Sequence, residues 1–560
     1  MLPVQRDLSR LADTPVDLLV VGAGIYGAAI ARDAAERGLS VALVDRGDFG
    51  AATSFNSLKT LHGGLRSLQR GSLAEMRTFI RERRAFFRIA PHLVQPLPFL
   101  IPTVRSLTRS RPAMRVALGL NDLVAHDRNE GVDPALHLGR GRVVDEAEVR
   151  RLIPGLAPGS VTGGATWVDG QMYNADRVVL SFIQSAVSAG AVAANYVAAT
   201  GFLREGSRVV GVTARDTIES RDLDIRARVT VNAAGAWAST LTDGALRFAV
   251  PVLARMSKAI NLVTARPAPP CAIGNVVNGR FLFCVPWRGI AMFGTLHTVH
   301  DGGPDDVRVT RAEVQAFLDE LNAAFPAARL GIEDVTLVHQ GLLPMEGVRD
   351  GEVQLTKHSQ IRDHASDGAP GLVTVVGVRY TTARQTATEA VDCAAAPLGR
   401  PIPTRRSDTV PLAGGDIGDL RAFLAAARAS HPLLSPASLE RLARSYGTAY
   451  PRVLALIDGD PSLAAPLSDT CPVTGAEIVH AVRHEMAVRL SDALLRRTEA
   501  GSAASPGRAA LETAAALMAE RLGWAPDRRA AEIEAVESRY RWSDHASPHE
   551  GAPDRPHEGE

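Results

Sequence analysis

The 560-residue sequence predicts an α/β protein that continues into a C-terminal all-α domain. A glycine-rich turn near the amino terminus joins an apolar β-run to a helical stretch, and strand-like and helix-like segments then alternate to about residue 396. Beyond a proline-rich stretch the chain is rich in Ala, Leu, Arg and Glu with helical periodicity. Hydrophobic residues make up 46% and charged residues 22%, so a sizeable core is available and a largely disordered chain is excluded.

The first unit spans residues 16–50 and has the pattern of a complete βαβ unit. Residues 18–21 form a short apolar β-run, residues 25–37 have helical composition, and residues 41–44 form a second β-run. The glycines that separate the first strand from the helix are the most informative part of the unit.

Residues 22–27 read GAGIYG, which has the spacing G-x-G-x-x-G. Gly22 permits a tight turn, Gly24 lets a pyrophosphate approach the backbone, and Gly27 lets the helix pack closely on the strand. Asp45 follows about twenty residues later, where an acid accepts hydrogen bonds from ribose hydroxyls and disfavours a 2′-phosphate. We therefore predict a dinucleotide site. A glycine turn used only for packing is the alternative, and the motif alone does not separate NAD from FAD.

Two mixed regions follow, over residues 161–263 and 281–377, and a linker then leads to the helical domain. The predicted strands lie at 207–212, 228–233, 289–295 and 372–376, and the predicted helices at 176–189 and 311–325. Four prolines predict a linker over 397–412, helical periodicity predicts a C-terminal helical domain over 413–542, and the polar residues 543–560 are expected to be disordered.

Residues 51–71, AATSFNSLKTLHGGLRSLQRG, indicate which of the two cofactors, NAD or FAD, the site binds. They resemble the FAD-dependent glycerol-3-phosphate dehydrogenase and oxidase family, in which an ATSS-type run, a lysine and an HGGLR motif follow the second strand. Further matches extend the resemblance along nearly the whole chain: VNAAGAW at 231–237, VPW at 285–287, TVVGVRYTTAR at 374–384 and AVRHEMAVRLSDALLRRT at 481–498.

The resemblance implies a Rossmann-like FAD-binding domain with an inserted mixed β-sheet substrate domain. The two would be interleaved over residues 1–396, with the substrate sheet mainly within 80–160 and 245–350. The implied enzyme oxidises a small anionic secondary alcohol, as in the conversion of glycerol 3-phosphate to dihydroxyacetone phosphate, and passes electrons to a quinone or similar acceptor. A flavin oxidase acting on a related 2-hydroxy or amino substrate and a flavin-binding protein without turnover remain as alternatives.

The resemblance also implies site residues. It places the flavin beside Thr53, Ser54, Lys59, His62, Gly63, Gly64 and Leu65, the adenine end beside Val197, the pyrophosphate beside Ala234 and Gly235, and the isoalloxazine ring beside Gly377 and Thr381. A neutral imidazole such as His62 can take the hydroxyl proton while a hydride leaves the carbon, and Arg66 offers a fork of donors to an anion. A His62 that only holds the flavin and an Arg66 in a structural ion pair are the alternatives.

Several substrate positions depart from the family pattern. The histidine of SKG-x-H is Asn261, the arginine of GLRPL is Leu343, the lysine of GGKLTT is Arg379, and the usual Thr-Asp pair is Leu296 and His297. Loss of one guanidinium costs about 1.5 to 3 kcal/mol of anion binding. Either Lys258, His297 and Arg379 rebuild the anion site, which would place Lys258 and Arg379 with His62 and Arg66 in the catalytic set, or the substrate is less charged.

A net charge of +1 is too small to indicate a nucleic-acid-binding protein. The segment from Arg70 to Arg115 is nevertheless strongly basic. Ten arginines and two glutamates give this segment a local net charge of +8. Apolar residues on one helical face lie beneath these charges: Leu73, Met76, Phe79, Ile80 and Phe87. A surface that docks on anionic lipid is one interpretation, and an ordinary core helix with a solvated face is the other.

The four cysteines are far apart and form no CxxC pair, which argues against a metal site and a disulfide-stapled fold. The first fifteen residues contain no apolar core of signal-peptide length, so we expect neither cleavage nor a transmembrane span. A cytoplasmic protein fits best, peripheral on the cytoplasmic face of the membrane if the basic segment binds lipid. A homodimer is left open.

Overall fold

A computed structural model describes residues 3–68, 71–153, 156, 159–246, 255–277 and 279–541, and the tail predicted to be disordered lies outside the described residues. The strands are β1 Val16–Val21, β2 Val41–Val44, β3 Thr60–Leu61, β4 Val94–Thr103, β5 Arg142–Val144, β6 Gly163–Met172, β7 Val192–Ala194, β8 Val197–Glu205, β9 Arg208–Asp216, β10 Arg221–Asn232, β11 Met256–Pro267, β12 Ala272–Val277, β13 Arg280–Trp287, β14 Ile290–His300, β15 Val335–Arg349, β16 Glu352–Leu355, β17 Gln360–Asp363, β18 Leu372–Val376, β19 Pro466–Ser468 and β20 Cys471–Thr474. The helices are α1 Leu8–Asp13, α2 Ile25–Glu36, α3 Leu65–Leu68, α4 Leu73–Ile89, α5 Arg111–Val124, α6 Glu146–Leu152, α7 Ala175–Ser188, α8 Ala238–Leu246, α9 Arg311–Ala324, α10 Ala383–Ala395, α11 Leu420–Ala427, α12 Pro436–Tyr446, α13 Pro451–Gly459, α14 Gly475–His484, α15 Arg508–Leu522 and α16 Pro526–Glu537.

The first sheet has the strand order β17-β18-β10-β1-β2-β7, and all neighbours in it are parallel except β17 and β18. Leu18, Leu19 and Val20 of β1 are fully buried, as expected of a parallel strand covered on both faces. Helices α2, α7 and α10 cover one face, and the antiparallel strands β8 and β9 with the start of β10 lie over the other. The predicted α/β class with a Rossmann-like domain is confirmed.

The second sheet is mixed and has the strand order β16-β15-β11-β14-β13-β12-β4-β6-β3, with β5 on β6. The strands of this second sheet come from two insertions into the sequence of the first, one between β2 and β7 and one between β10 and β17. Strands β3, β6 and β16 therefore lie beyond the ranges 80–160 and 245–350 expected to hold most of the substrate sheet. Helix α9 buries Val314, Phe317 and Leu321 against one face, which leaves the other face of β11, β14 and β15 to form a wall of a cavity.

The C-terminal domain consists of α11 to α16 with a short β19-β20 hairpin. Residues 476–497 have helical periodicity in the sequence, but α14 ends at His484 and a π-helical turn follows at Asp492–Arg497. The break has a tertiary cause: fully buried Glu485 accepts hydrogen bonds from Arg177 of α7 at 2.6 and 2.7 Å. The long-range ion pair overrides the local helical preference.

A buried charge cluster joins this domain to the first sheet. Asp48, just after β2, accepts hydrogen bonds from Arg497 at 2.6 and 2.8 Å, from Asn195 at 2.9 Å and from Arg496. Burial alone would raise the pKa of Asp48, but the two guanidinium groups hold it well below its usual range.

Helix α4, within the basic segment, has the arrangement of a core helix. Four of the five apolar residues expected on its inner face are buried, namely Met76, Phe79, Ile80 and Phe87, whereas Leu73 at its start is 48% exposed. Charges on its outer face pair locally, since Arg84 contacts Asp127 at 2.6 Å and Glu130 at 2.8 Å. Within the described ranges, no helix combines the length and apolar character needed to cross a bilayer.

Candidate active site

A cavity of about 1010 Å³ lies where the carboxyl ends of β1, β2, β10 and β18 meet the free face of β11, β14 and β15. Ligands of open α/β sheets bind at this edge. The volume is at the upper end of the usual range for ligand pockets, about 300 to 1,000 Å³, so the cavity suits an extended ligand.

The glycine turn forms one end of the cavity. Gly22 has φ +98°, and a Cβ there would lie 2.6 Å from the carbonyl oxygen of Ala233. A Cβ on Gly27 would overlap the carbonyl oxygen of Gly22, so this glycine packs α2 against β1 and does not line the cavity. The backbone N–H of Ile25, in the first turn of α2, donates to Ser54 Oγ at 3.0 Å. The turn therefore keeps open the space that a pyrophosphate needs at a helix N-terminus.

Asp45 lies at the end of β2 with both oxygens fixed. It accepts hydrogen bonds from the backbone N–H groups of Ala23 at 2.6 Å and Gly47 at 2.9 Å. Burial raises the pKa of Asp45 to about 6. Arg46 stacks on Trp237 with 5.2 Å between the guanidinium carbon and the ring centroid, and both residues line this end of the cavity.

Val197 has a different place from the one expected at the adenine end. Its backbone N–H donates to the carbonyl of Asp45 at 2.7 Å, and its side chain is fully buried in the core. Ala199 and Thr200, farther along the same strand, line the cavity instead.

The loop after β2 forms the middle of the cavity. Thr53 Oγ1 donates to the carbonyl of Leu342 at 3.1 Å, which ties the loop to β15. Lys59 is fully buried with φ +61°; it donates to the carbonyl of Phe55 and lies 4.9 Å from the centroid of that ring. Burial lowers the pKa of Lys59 to about 8, although the carboxylate of Asp176 opposes this shift.

His62 lies beside a buried carboxylate that sequence reasoning did not single out. Its side chain is 50% exposed, its Nδ1 is 3.8 Å from Asp169 Oδ2, and its Nε2 is 2.9 Å from Thr60 Oγ1. Asp169 also accepts from the backbone N–H of Gly63 at 2.9 Å and from Arg83. Burial would raise the pKa of Asp169, but the Arg83 guanidinium keeps it below its usual range.

The glycines and the leucine after His62 support the site from behind. A Cβ on Gly63 would overlap the Arg83 guanidinium, and Gly64 has φ +78° and lies against Phe79. Leu65 packs into the core of the second sheet. Arg66 belongs to α3, but its side chain lies outside the described part of the chain.

Tyr26, inside the glycine motif, holds the segment after β18. Its hydroxyl donates to the carbonyl of Arg379 at 2.7 Å and accepts from the backbone N–H groups of Val378 at 3.1 Å and Arg379 at 3.0 Å. The Tyr26 ring occupies the space of a Cβ at Gly377. Arg379 Nη1 donates to Glu75 Oε1 at 2.6 Å, and the guanidinium lies 5.0 Å from the Phe79 ring centroid.

The wall formed by the second sheet carries the residues that depart from the family pattern. Asn261 Oδ1 accepts from Thr295 Oγ1 at 2.7 Å, and His297 and Leu343 also line the cavity. Lys258 does not: it contacts Glu313 of α9 on the opposite face of the sheet, because successive residues of a strand alternate between faces. This corrects the prediction that Lys258 faces the substrate.

The cavity thus gathers most of the predicted residues. Those that line it are Gly22, Gly24, Asp45, Thr53, Ser54, Lys59, His62, Ala234, Gly235, Gly377, Arg379 and Thr381.

Comparisons with known proteins agree with this architecture. A family model described as FAD dependent oxidoreductase matches residues 17–379, and one described as the C-terminal domain of alpha-glycerophosphate oxidase matches residues 405–529. A glycerol-3-phosphate dehydrogenase of Synechocystis sp. is 30% identical over 536 residues, covering 93% of this chain and 95% of that protein. The chain belongs to the FAD-dependent glycerol-3-phosphate dehydrogenase family.

Further members of the glycerol-3-phosphate dehydrogenase family extend the comparison. The solved structure of the enzyme from Bacillus halodurans, complexed with FAD, superposes with a TM-score of 0.74 at 25% identity and covers 95% of this chain and 96% of that one. An alpha-glycerophosphate oxidase of Streptococcus pneumoniae is 28% identical over 567 residues, 88% of this chain and 90% of that protein.

FAD is the cofactor of this glycerol-3-phosphate dehydrogenase family chain, and the cavity fits it. The turn at Gly22 carries no side chain, because its backbone conformation and the nearby Ala233 would exclude one, and the space beside it is therefore free for the cofactor. Asp45 lines the same end of the cavity, and a carboxylate is a group that can accept hydrogen bonds from ribose hydroxyls. The cavity continues from this end to the segment around Gly377.

Proposed function

We propose that the chain is a dehydrogenase that oxidises a small secondary alcohol bearing an anionic group, with glycerol 3-phosphate as the first candidate and dihydroxyacetone phosphate as its product. One observation carries the proposal: the dinucleotide turn, a half-exposed histidine backed by a carboxylate, and a cavity-lining arginine converge on one cavity. The names of the relatives that match nearly the whole chain support it.

The residues of the cavity have separate tasks in this proposal. Gly22, Gly24, Ala234 and Gly235 would hold the pyrophosphate of FAD, Asp45 its ribose, and Thr53, Ser54, Lys59, Gly377 and Thr381 its ring system. When bound, FAD supplies the acceptor for the hydride that leaves the substrate carbon.

His62 takes the proton of the substrate hydroxyl. With Nδ1 facing Asp169, the neutral ring carries its proton on Nδ1, and Nε2 accepts from the substrate hydroxyl in place of Thr60 Oγ1, which lies 2.9 Å from it. The Asp169 carboxylate, fixed by Arg83, then stabilises the imidazolium that forms. The O–H bond loses its proton to His62 and the C–H bond loses a hydride, so the alcohol becomes a ketone. Arg379 binds the anionic group.

The test is product formation by the purified holoenzyme. We expect dihydroxyacetone phosphate from glycerol 3-phosphate, and kcat/KM should fall by roughly 10²- to 10⁴-fold in His62→Asn. Lys258→Gln, which removes a charge on the opposite face of the same sheet, is the control and should retain activity. If the purified flavoprotein oxidises none of glycerol 3-phosphate, glycerol and glycerate, the proposal is contradicted. That result would favour a flavin-binding protein without turnover.

We further propose that the electron acceptor is a quinone, reached from an anionic membrane surface. Helix α5 and the loop before it expose Leu107 (97%), Val116 (72%) and Leu123 (70%). The arginines 105, 109, 111 and 115 lie in the same segment. Apolar side chains among cations are the composition that binds anionic lipid.

The acceptor and the membrane surface are tested separately. A quinone analogue should support faster turnover than oxygen, whereas rapid reoxidation by oxygen would identify an oxidase. The protein should float with vesicles containing phosphatidylserine, and Val116→Ser with Leu123→Ser should abolish flotation. Val348→Ser, at a 50% exposed apolar residue of β15, is the matched control. Flotation that survives the paired change would contradict this surface.

A further inference from the structure

Among the side chains that the structure describes, one guanidinium supplies the positive charge that the cavity offers to the substrate. Among the described side chains that line the cavity, three are arginines or lysines: Arg46, Lys59 and Arg379. Arg46 pairs with Asp305 at the nucleotide end, and Lys59 is fully buried against the carbonyl of Phe55. Arg379 remains, with 31% of its side chain exposed.

Arg379 is held on three sides. Tyr26 fixes its backbone, Phe79 lies beneath its guanidinium, and Glu75 binds Nη1 at 2.6 Å. Glu75 is itself fixed in the first turn of α4, where its backbone N–H donates to the N-cap Ser72. The carboxylate is mostly enclosed, since 12% of its side chain is exposed.

This arrangement leaves part of the Arg379 fork for a ligand but cancels its charge. A guanidinium has five N–H donors, and Glu75 engages one edge of it. An incoming anion therefore meets an ion pair of zero net charge. A phosphate dianion is attracted by Arg379 and repelled by Glu75, whereas a neutral polyol feels little of either charge.

We propose that Glu75 is a positioning residue that determines specificity: it holds Arg379 in place and limits the affinity of the site for highly charged substrates. The inference rests on the proposed function, because it assumes that the substrate anion binds Arg379. Leu343, where the family pattern has an arginine, lines the same cavity and adds no charge. The preference between an anionic and a neutral alcohol is then set by the pair of Glu75 and Arg379.

The test is Glu75→Gln in the full-length holoenzyme. The Gln amide oxygen can still accept from Arg379, so the position is kept while the negative charge is removed. We expect KM for glycerol 3-phosphate to fall roughly tenfold, and the ratio of kcat/KM for glycerol 3-phosphate to that for glycerol to rise by about the same factor. The gain should shrink at high salt, because the charges are partly exposed.

Two further variants connect the effect to Arg379. In an Arg379→Gln background, Glu75→Gln should no longer raise the ratio, since coupled residues are not additive. Glu82→Gln, two turns along the same helix and paired with Arg384 outside the cavity, is the matched control and should leave the ratio unchanged. Flavin content verifies the folding of each variant.

The outcomes separate the two proposals. If the wild type oxidises glycerol 3-phosphate but Glu75→Gln leaves the ratio unchanged or lowers it, the role of Glu75 is wrong while the proposed function stands. A gain that persists without Arg379 also overturns the role. If neither the wild type nor the variant oxidises any compound, the proposed function fails first.

Discussion

The buried cluster around Asp48 offers a quantitative test of how the two domains hold together. In Asp48→Asn the side chain keeps its shape but loses its charge, and its amide nitrogen is brought against two guanidinium groups. Arg496 and Arg497 are then left with Asp492, which contacts Arg496 at 2.7 Å, as the nearby carboxylate in the described cluster. Breaking a buried pair by removing one partner costs about 3 to 5 kcal/mol. We expect the free energy of unfolding to fall by that amount at pH 7.

The assay is urea denaturation followed by circular dichroism and, separately, by flavin release. Asp222→Asn, in an exposed pair with Arg215, is the control and should cost at most about 1 kcal/mol. The pKa of Asp48 is depressed, so its contribution is fully present above about pH 4 and is lost only as the pH falls towards that lowered pKa. A loss below about 1 kcal/mol at pH 7 would refute the view that these charges join the domains.

Two other predictions concern the cavity. Asp45 has its pKa raised to about 6, so its contribution to apoprotein stability is present below about pH 4 and is lost as the pH rises through 6; FAD binding to the ionised form should therefore strengthen between pH 5 and 7.5, by up to about tenfold. Fluorescence titration of the apoprotein checks this, and a pH dependence that persists in Asp45→Asn would contradict it. Leu343→Arg restores a guanidinium to the cavity wall and should lower KM for glycerol 3-phosphate roughly tenfold; steady-state kinetics that show no gain would mean that the anion binds elsewhere.

The nucleotide-binding half of the site was largely predictable because its determinants are local. The glycine spacing, the strand before it and Asp45 lie within one βαβ unit, and the turn geometry at Gly22 follows from that spacing. The resemblance at residues 51–71 added Thr53, Ser54 and His62, which the structure places in the same cavity.

The remaining features depend on contacts between distant parts of the chain. Asp169 reaches His62 through the pairing of β6 with β3, and no motif marks it in the sequence. Lys258 was placed wrongly because it lies three positions before Asn261 in β11, and an odd offset puts the two side chains on opposite faces of the strand. The end of α14 at His484 depends on the buried pair between Glu485 and Arg177, which local periodicity does not reveal.

We propose that this cavity binds FAD and that an anionic secondary alcohol is oxidised there. The most direct measurement is an anaerobic titration of the purified holoprotein with glycerol 3-phosphate, followed by the flavin absorbance. We expect the oxidised flavin band to disappear as dihydroxyacetone phosphate forms, and His62→Asn to slow this reduction. A flavin band that persists at saturating substrate in correctly folded protein would contradict it.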